Sequence, residues 1–247
     1  MFWPLDDWRY RELYELEDRH WWFRGRRAVI WSLLRRAGLP PSPRILDAGC
    51  GTGRNLVEFG PLGQAEGVDA SDEAVAFCHE RGLEGVRAAA LDALPYDDGW
   101  FQLILATDVI EHLDDDRRAL AELRRVAASG ARLVVTVPAY SWLWSEHDVS
   151  MHHRRRYTLS RLQERVAAAG WQPVVRSYFF SVLLPVVAAV RLARRLVPAR
   201  RGRSDLALTP AILGRVLELP VLAEAKLIER GVRLPAGVSV GMVCTAP

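Results

Sequence analysis

The chain has 247 residues, half of them apolar and about a quarter charged, with 33 basic against 30 acidic side chains for a net charge of +3. That is enough apolar material for one generous domain or one domain with an embellishment, and it excludes intrinsic disorder. The near-balance of charge argues against bulk nucleic-acid affinity.

Cys50, Cys78 and Cys244 are widely spaced, form no metal pattern, and suit small buried residues of a reducing compartment. Met1 to Tyr10 mixes acids and tryptophans with no apolar run, so it does not read as a secretory signal. A cytoplasmic protein is expected.

The first 27 residues are rich in aromatic and charged side chains, including Trp3, Trp8, Tyr10, Tyr14, Trp21, Trp22 and Phe23. They suggest amphipathic helical turns lying over the domain. A helix is expected from about Arg26, with Val29, Ile30, Leu33, Leu34 and Ala37 on one face and Gly38 as its stop. Pro40, Pro41 and Pro43 make a stiff lead into a first strand, Arg44 to Leu46.

Directly after that strand, Asp47 to Asn55 read DAGCGTGRN, and a second strand, Glu66 to Val68, ends in Asp69, twenty positions past Gly49. Glycines let the backbone turn sharply and approach a ligand closely. An acid about twenty residues on can grip both hydroxyls of a ribose. Gly49, Gly51 and Gly53 are spaced G-x-G-x-G, whereas dinucleotide folds usually carry G-x-G-x-x-G at a helix start that receives pyrophosphate. Asp47 would repel a phosphate but could receive an ammonium group. S-adenosylmethionine, with a ribose, an amino-acid head and no phosphate, is the ligand suggested.

On these residues the chain resembles the class I S-adenosylmethionine-dependent methyltransferases, in particular the type 11, ubiquinone-pathway-like small-molecule enzymes, from about Ile45 to Gly170. The resemblance implies a seven-stranded, mostly parallel Rossmann-like α/β sheet with helices on both faces and an antiparallel last strand. It carries cofactor contacts onto Asp47, Gly49, Cys50, Gly51, Gly53 and Asn55, then onto Asp69 and Ala70. Asp92 would accept from the adenine amino group, Ala93 would offer a backbone contact, and Leu94 would pack on the ring. Thr107 and Asp108 complete the cofactor set.

Further along, Ser71 is placed to cap a helix with Asp72 and Glu73 in its first turn. Val86 to Ala89 and Gln102 to Thr107 read as the third and fourth strands. Leu120, Leu123 and Val126 mark a helix ending near Gly130, and Arg132 to Val137 a fifth strand. Ser160 and Gln163 suggest a capping box for a helix through Ala169. Trp171 to Phe180 and Val238 to Thr245 are the remaining strand candidates. The alternation of strand and helix predicts a parallel sheet covered on both faces.

After the fourth strand, Asp108, Glu111 and His112 would share a face if a helical turn begins there. In one reading His112, near the ordinary histidine pKa of about 6.5, is a general base oriented by Glu111. In the other, all three join a later histidine around a divalent metal, as in some ubiquinone-pathway and small-RNA 2′-O-methyltransferases that this segment is similar to. Those usually have glutamate where Asp108 stands, so no metal is assigned. His147 beside Asp148 is a second base candidate. The segment from Pro138 to Thr158 forms a substrate wall, with Tyr140, His152 and Tyr157 as acceptor contacts and Trp22 from the N-terminal run.

Between the last two strands lie about fifty residues that a minimal methyltransferase does not need. They begin with the apolar stretch Tyr178 to Val190 and continue into six arginines, Arg191 to Arg203. Thirteen residues are too few for a span, which takes about 20, but the 178–203 segment suits peripheral contact with anionic lipid. A dimer contact or a lid over a greasy substrate fits equally. Thr209-Pro210 is a good cap for a following helix that bends at Pro220. The chain thus divides into an N-terminal helical lid and linker (1–43), a cofactor-binding catalytic core (44–180), a helical insertion (181–234) and the last core strand (235–247). The expected activity is methyl transfer to oxygen, less readily nitrogen, of a small or lipid-linked metabolite, with no nucleic-acid partner and the oligomeric state open. An inactive cofactor-binding partner subunit and a nucleic-acid methyltransferase are the alternatives.

Overall fold

The structure is a computed structural model that describes residues 7–196 and 211–247. Among these residues the strands form one seven-stranded sheet in the order β3-β2-β1-β4-β5-β7-β6. The strands are β1 (Arg44–Ala48), β2 (Gln64–Asp69), β3 (Val86–Ala88), β4 (Phe101–Thr107), β5 (Ala127–Pro138), β6 (Gln172–Phe179) and β7 (Ser239–Thr245). Pairing is parallel from β3 through β5, while β7 runs antiparallel between β5 and β6.

The central strands are apolar on both faces because helices cover both. Successive side chains point to opposite sides, so Leu46, Ile104 and Leu133 face one core and Ile45, Leu103 and Val134 the other. The first core is closed by Leu120 and Leu123 of α5 (Asp116–Val126) and Leu162 of α7 (Leu159–Ala168). The second is closed by Ile30, Leu33 and Leu34 of α2 (Trp21–Ala37) and by Val221 and Ile228 of α9 (Ala211–Glu229). A methyl group at Gly25 of α2 would lie 2.5 Å from Val221, so the absence of a side chain there lets the two helices touch. The helix before the sheet and the helix inserted before β7 therefore share one layer.

Several local expectations are corrected. Helix α2 starts at Trp21, five residues before Arg26, because His20 caps it by accepting from the Trp22 amide at 3.3 Å. Helix α5 ends at Val126 and the chain enters β5 at Ala127, so Gly130 lies within a strand. Thr158 caps α7 through the Arg161 amide, which displaces the box expected at Ser160. The apolar stretch Tyr178 to Val190 is not one segment: Tyr178 and Phe179 finish β6, and the rest turns into α8 (Leu184–Leu196). Pro220 lies inside α9. The Thr209-Pro210 cap and Arg200 to Arg203 fall outside the described residues. Among the described residues no helix is long and apolar enough to cross a membrane.

Candidate functional site

The turn after β1 is built by its glycines. Gly49 has φ of 77°, and a side chain on it would come within 2.3 Å of Val109. Its amide and that of Cys50 donate to the Val68 carbonyl at 2.8 and 2.9 Å, tying the turn to β2. Gly51, with φ of 53°, faces open space where a methyl would meet nothing within 4 Å. Its amide donates to Asp69 Oδ2 at 2.9 Å, while Asp69 Oδ1 accepts from Ser71 at 3.0 Å. Each oxygen keeps capacity for a further donor, so the carboxylate remains able to take ligand hydroxyls. Burial raises the Asp69 pKa against those hydrogen bonds.

Asp47 is fully buried, and neither carboxylate oxygen has a hydrogen-bond partner. Burial pushes its pKa up to about 7. Next to the glycine turn, this orphaned acid is where a cation would be welcome. Asn55 Nδ2 donates to Thr107 Oγ1 at 2.9 Å, joining the first helix after the turn to the end of β4.

A cavity of about 530 Å³ opens above this edge of the sheet. Gly49, Cys50, Gly51, Asn55, Asp69, Thr107 and Asp108 line it. Asp47, Ala70, Asp92 and Ala93 do not. Asp92 is half-exposed and lies 3.5 Å from Arg118, because the loop after β3 turns toward α5; Leu94 packs in the core.

The N-terminal helix α1 (Asp7–Leu16) and the turn after it close one side. Glu17 accepts from Thr52 Oγ1 of the glycine turn and from Arg81 Nη2 at 2.6 Å, and its carbonyl accepts from Arg27 at 2.8 Å. Burial raises the Glu17 pKa despite these donors. Arg26 reaches Asp108, whose other oxygen accepts from Thr136 at 3.0 Å. Asp108 therefore faces an arginine, and its φ of 52° is a strained value for a residue with a side chain.

Beyond Asp108 a short 3-10 turn, Ile110–His112, presents Glu111 and His112 to the cavity. Glu111 is fully buried with both oxygens unpartnered, and burial holds its pKa well above the usual range. His112 is pushed down to about 3, first by burial and then by the neighbouring His153. This corrects the expectation of an unperturbed histidine: His112 is neutral at neutral pH and a weak base.

His147 lines the cavity, but Asp148 orients a different histidine. Asp148 Oδ1 lies 2.9 Å from His153 Nδ1 and also accepts from Arg156 Nε at 2.6 Å. Those partners pull the Asp148 pKa down against the burial that would raise it. The His112 and His153 rings meet edge to face at 4.8 Å. Ligand atoms of Glu111, His112 and His153 all lie within 4.8 Å of one another.

Of the expected acceptor contacts, Trp22 lines the cavity and Tyr140, His152 and Tyr157 do not. Tyr157 is fully buried and donates to Asp116 Oδ2 at 2.8 Å. Tyr140 stacks on Tyr178 at 5.2 Å, and both Tyr140 and His152 occupy positive φ.

Residues 46–135 match the family model described as a methyltransferase domain. The chain is similar to ajmaline N-methyltransferase of Rauvolfia serpentina, 32% identical over 170 residues, which is 64% of this chain and 57% of that protein. An S-adenosylmethionine-dependent methyltransferase structure from Thermotoga maritima superposes with a TM-score of 0.58 at 20% identity, covering 92% of this chain and 93% of that one. A chain from the complex of the Haloferax volcanii Trm112 methyltransferase activator superposes with a TM-score of 0.62 at 17% identity, covering 97% of this chain and 94% of that one.

Residues 46–135 form a methyltransferase domain, and the fold is that of S-adenosylmethionine-dependent methyltransferases. It spans about half the length of the curated relatives it matches.

Several residues of this methyltransferase site escaped the sequence reading. Glu17 and Arg26 left no local signal, since their partners lie far along the chain. His153 stands in the His152-His153-Arg154 run, where nothing local marks it over His147, the chain neighbour of Asp148. Arg191, the first of the arginine run that suits lipid, a dimer partner or a lid equally, turns inward, donating to the Leu143 carbonyl and lying 3.6 Å from Asp148.

Proposed function

We propose that this chain transfers the methyl group of S-adenosylmethionine to an oxygen, less readily a nitrogen, of a small or lipid-linked acceptor. One observation carries the reading: a single cavity joins the glycine turn and Asp69 to Glu111, His112 and His153. The glycine turn and Asp69 suit the amino-acid head and the sugar of the cofactor, with Asp47 buried behind the turn. Trp22 and Phe23, which also line the cavity, suit a cationic sulfur. When bound, the cofactor supplies an electrophilic methyl on that sulfur.

The chain's own tasks are alignment, exclusion of water and removal of a proton. Alignment of acceptor and methyl is worth up to about 7–11 kcal/mol. For the proton, the geometry favours His153. With Nδ1 held by Asp148, its Nε2 is left to accept, and the buried carboxylate stabilises the imidazolium that forms. His112, kept neutral, accepts a hydrogen bond from the acceptor beside it.

A second reading is favoured by the grouping of Glu111, His112 and His153, in which an unpartnered carboxylate meets a histidine that stays neutral. That donor set fits a divalent metal. Bound there, an ion would lower the pKa of an acceptor hydroxyl. Asp108 is outside the grouping because Arg26 engages it.

Nucleic acid is left out of this reading because a net charge of +3 supplies little phosphate attraction. Three free, buried cysteines suit a reducing cytoplasm.

Calorimetry with S-adenosylmethionine, S-adenosylhomocysteine and NADH tests the reading. Both adenosyl compounds should bind the wild type, and Asp69→Ala should weaken them by roughly 1.5–3 kcal/mol, the worth of hydrogen bonds to a charged group. Binding of NADH alone would refute it.

A further inference from the structure

The cavity has an apolar half that the chemistry above does not use. Leu183, Val186, Val187 and Val190 at α8 and Leu217 of α9 line it, and it begins where Trp22 of α2 ends the cofactor side. The arm has fixed walls. Trp22 packs 4.1 Å from the Phe180 ring, and Trp21 crowds Gly214 of α9 so closely that a methyl there would lie 3.0 Å from the indole.

Val186 and Val190 stand one helical turn apart and belong to the lining, yet they remain 63% and 44% exposed. Among the described residues the cavity therefore reaches the outside across an aliphatic rim. Val182 beside it and Val216 and Leu219 on α9 are exposed as well. Scattered surface valines need no explanation. Aliphatic side chains that are both inner wall and outer rim leave apolar surface against water unless something apolar lies along them.

We propose that this arm binds one long hydrocarbon chain, acyl or isoprenyl, of the acceptor. The polar head of that acceptor lies at His112 and His153, and its tail leaves over the Val186 and Val190 rim. The proposal rests on the methyl-transfer reading for the fate of the head group. The tail site is argued separately, from the continuity of the aliphatic wall with the reaction end. Acceptors with such tails reside in membranes.

Calorimetric titration of the full chain with a homologous series of linear primary alcohols, in the presence of S-adenosylhomocysteine, tests this. Each methylene buried in the arm is worth about 0.8 kcal/mol, or roughly fourfold in Kd. The dissociation constant should fall by about that factor per carbon and level off once the arm is full. Val186→Asp and Val190→Asp, both at exposed positions that tolerate a charge, should flatten the series while leaving S-adenosylhomocysteine affinity intact. A flat series in the wild type, or an undiminished slope in both variants, overturns the proposal. Absence of heat with S-adenosylhomocysteine alongside a steep alcohol series would instead remove the methyl-transfer reading and leave the tail site standing.

Discussion

Arg26 Nη1 lies 2.5 Å from Asp108 Oδ2, an ion pair across 82 residues that fastens α2 to the turn leaving β4. The pair is largely buried, with side-chain exposures of 15% and 27%, so its hydrogen bond is little diluted by water. Arg26→Ala should cost about 1–3 kcal/mol and lower Tm by several degrees, since each kcal/mol moves a domain of this size by about 2–4 °C. Cofactor affinity should fall with it, because α2 and the turn before it wall the cavity. Scanning calorimetry with and without S-adenosylhomocysteine reads both, and an unchanged Tm would show that the pair holds nothing.

Asp47 gives stability a pH dependence of known sign. Its folded pKa of about 7 stands above the ordinary aspartate value of 3.8. Between those values the folded protein keeps a proton that the unfolded chain has released, so the contribution is complete below about pH 4 and is lost as pH rises toward 7. Its full extent is on the order of 4 kcal/mol. Asp47→Asn should flatten the dependence in that window, as judged from urea midpoints at a series of pH values. A parallel profile for the two proteins would place the titration elsewhere.

His153 and His112 separate the two catalytic readings. If His153 is the base, His153→Ala should slow turnover by about 10² to 10⁴, His112→Ala should do less, and a chelator should do nothing. If a metal is held, both variants should fail alike and the chelator should abolish turnover, with activity restored by added divalent ion. Single-turnover rates at saturating cofactor decide between them. Retention of full activity in His153→Ala without chelator sensitivity would remove both.

Tyr157 is expected to matter for stability and not for binding. Its hydroxyl, raised in pKa by burial, donates to an Asp116 that also has Arg155 at 3.3 Å and Arg165 at 3.6 Å. Tyr157→Phe should cost about 1–3 kcal/mol in chemical denaturation and leave cofactor affinity as it was. A selective loss of acceptor binding with stability unchanged would restore Tyr157 to the site.

Ser71, Gly38 and the spacing of Gly49, Gly51 and Gly53 were readable one residue at a time. Caps, stops and tight turns depend on backbone groups within a few positions of the residue that satisfies them. The same holds for the order of strands and helices and for Asp69, whose distance from the turn follows from one strand-helix-strand unit. Sequence by itself therefore determined the sheet, the cofactor edge and the acidic segment after β4. It did not decide what faces what. Asp148 turning to His153 and not to His147, Asp108 meeting Arg26, Tyr157 sinking onto Asp116, and Asp92 turning toward Arg118 all join residues on different elements. The apolar stretch Tyr178 to Val190 divides between the end of β6 and α8, whose valines turn to the cavity. Such contacts are set by how layers stack, and packing of distant segments leaves no periodicity in the chain to read.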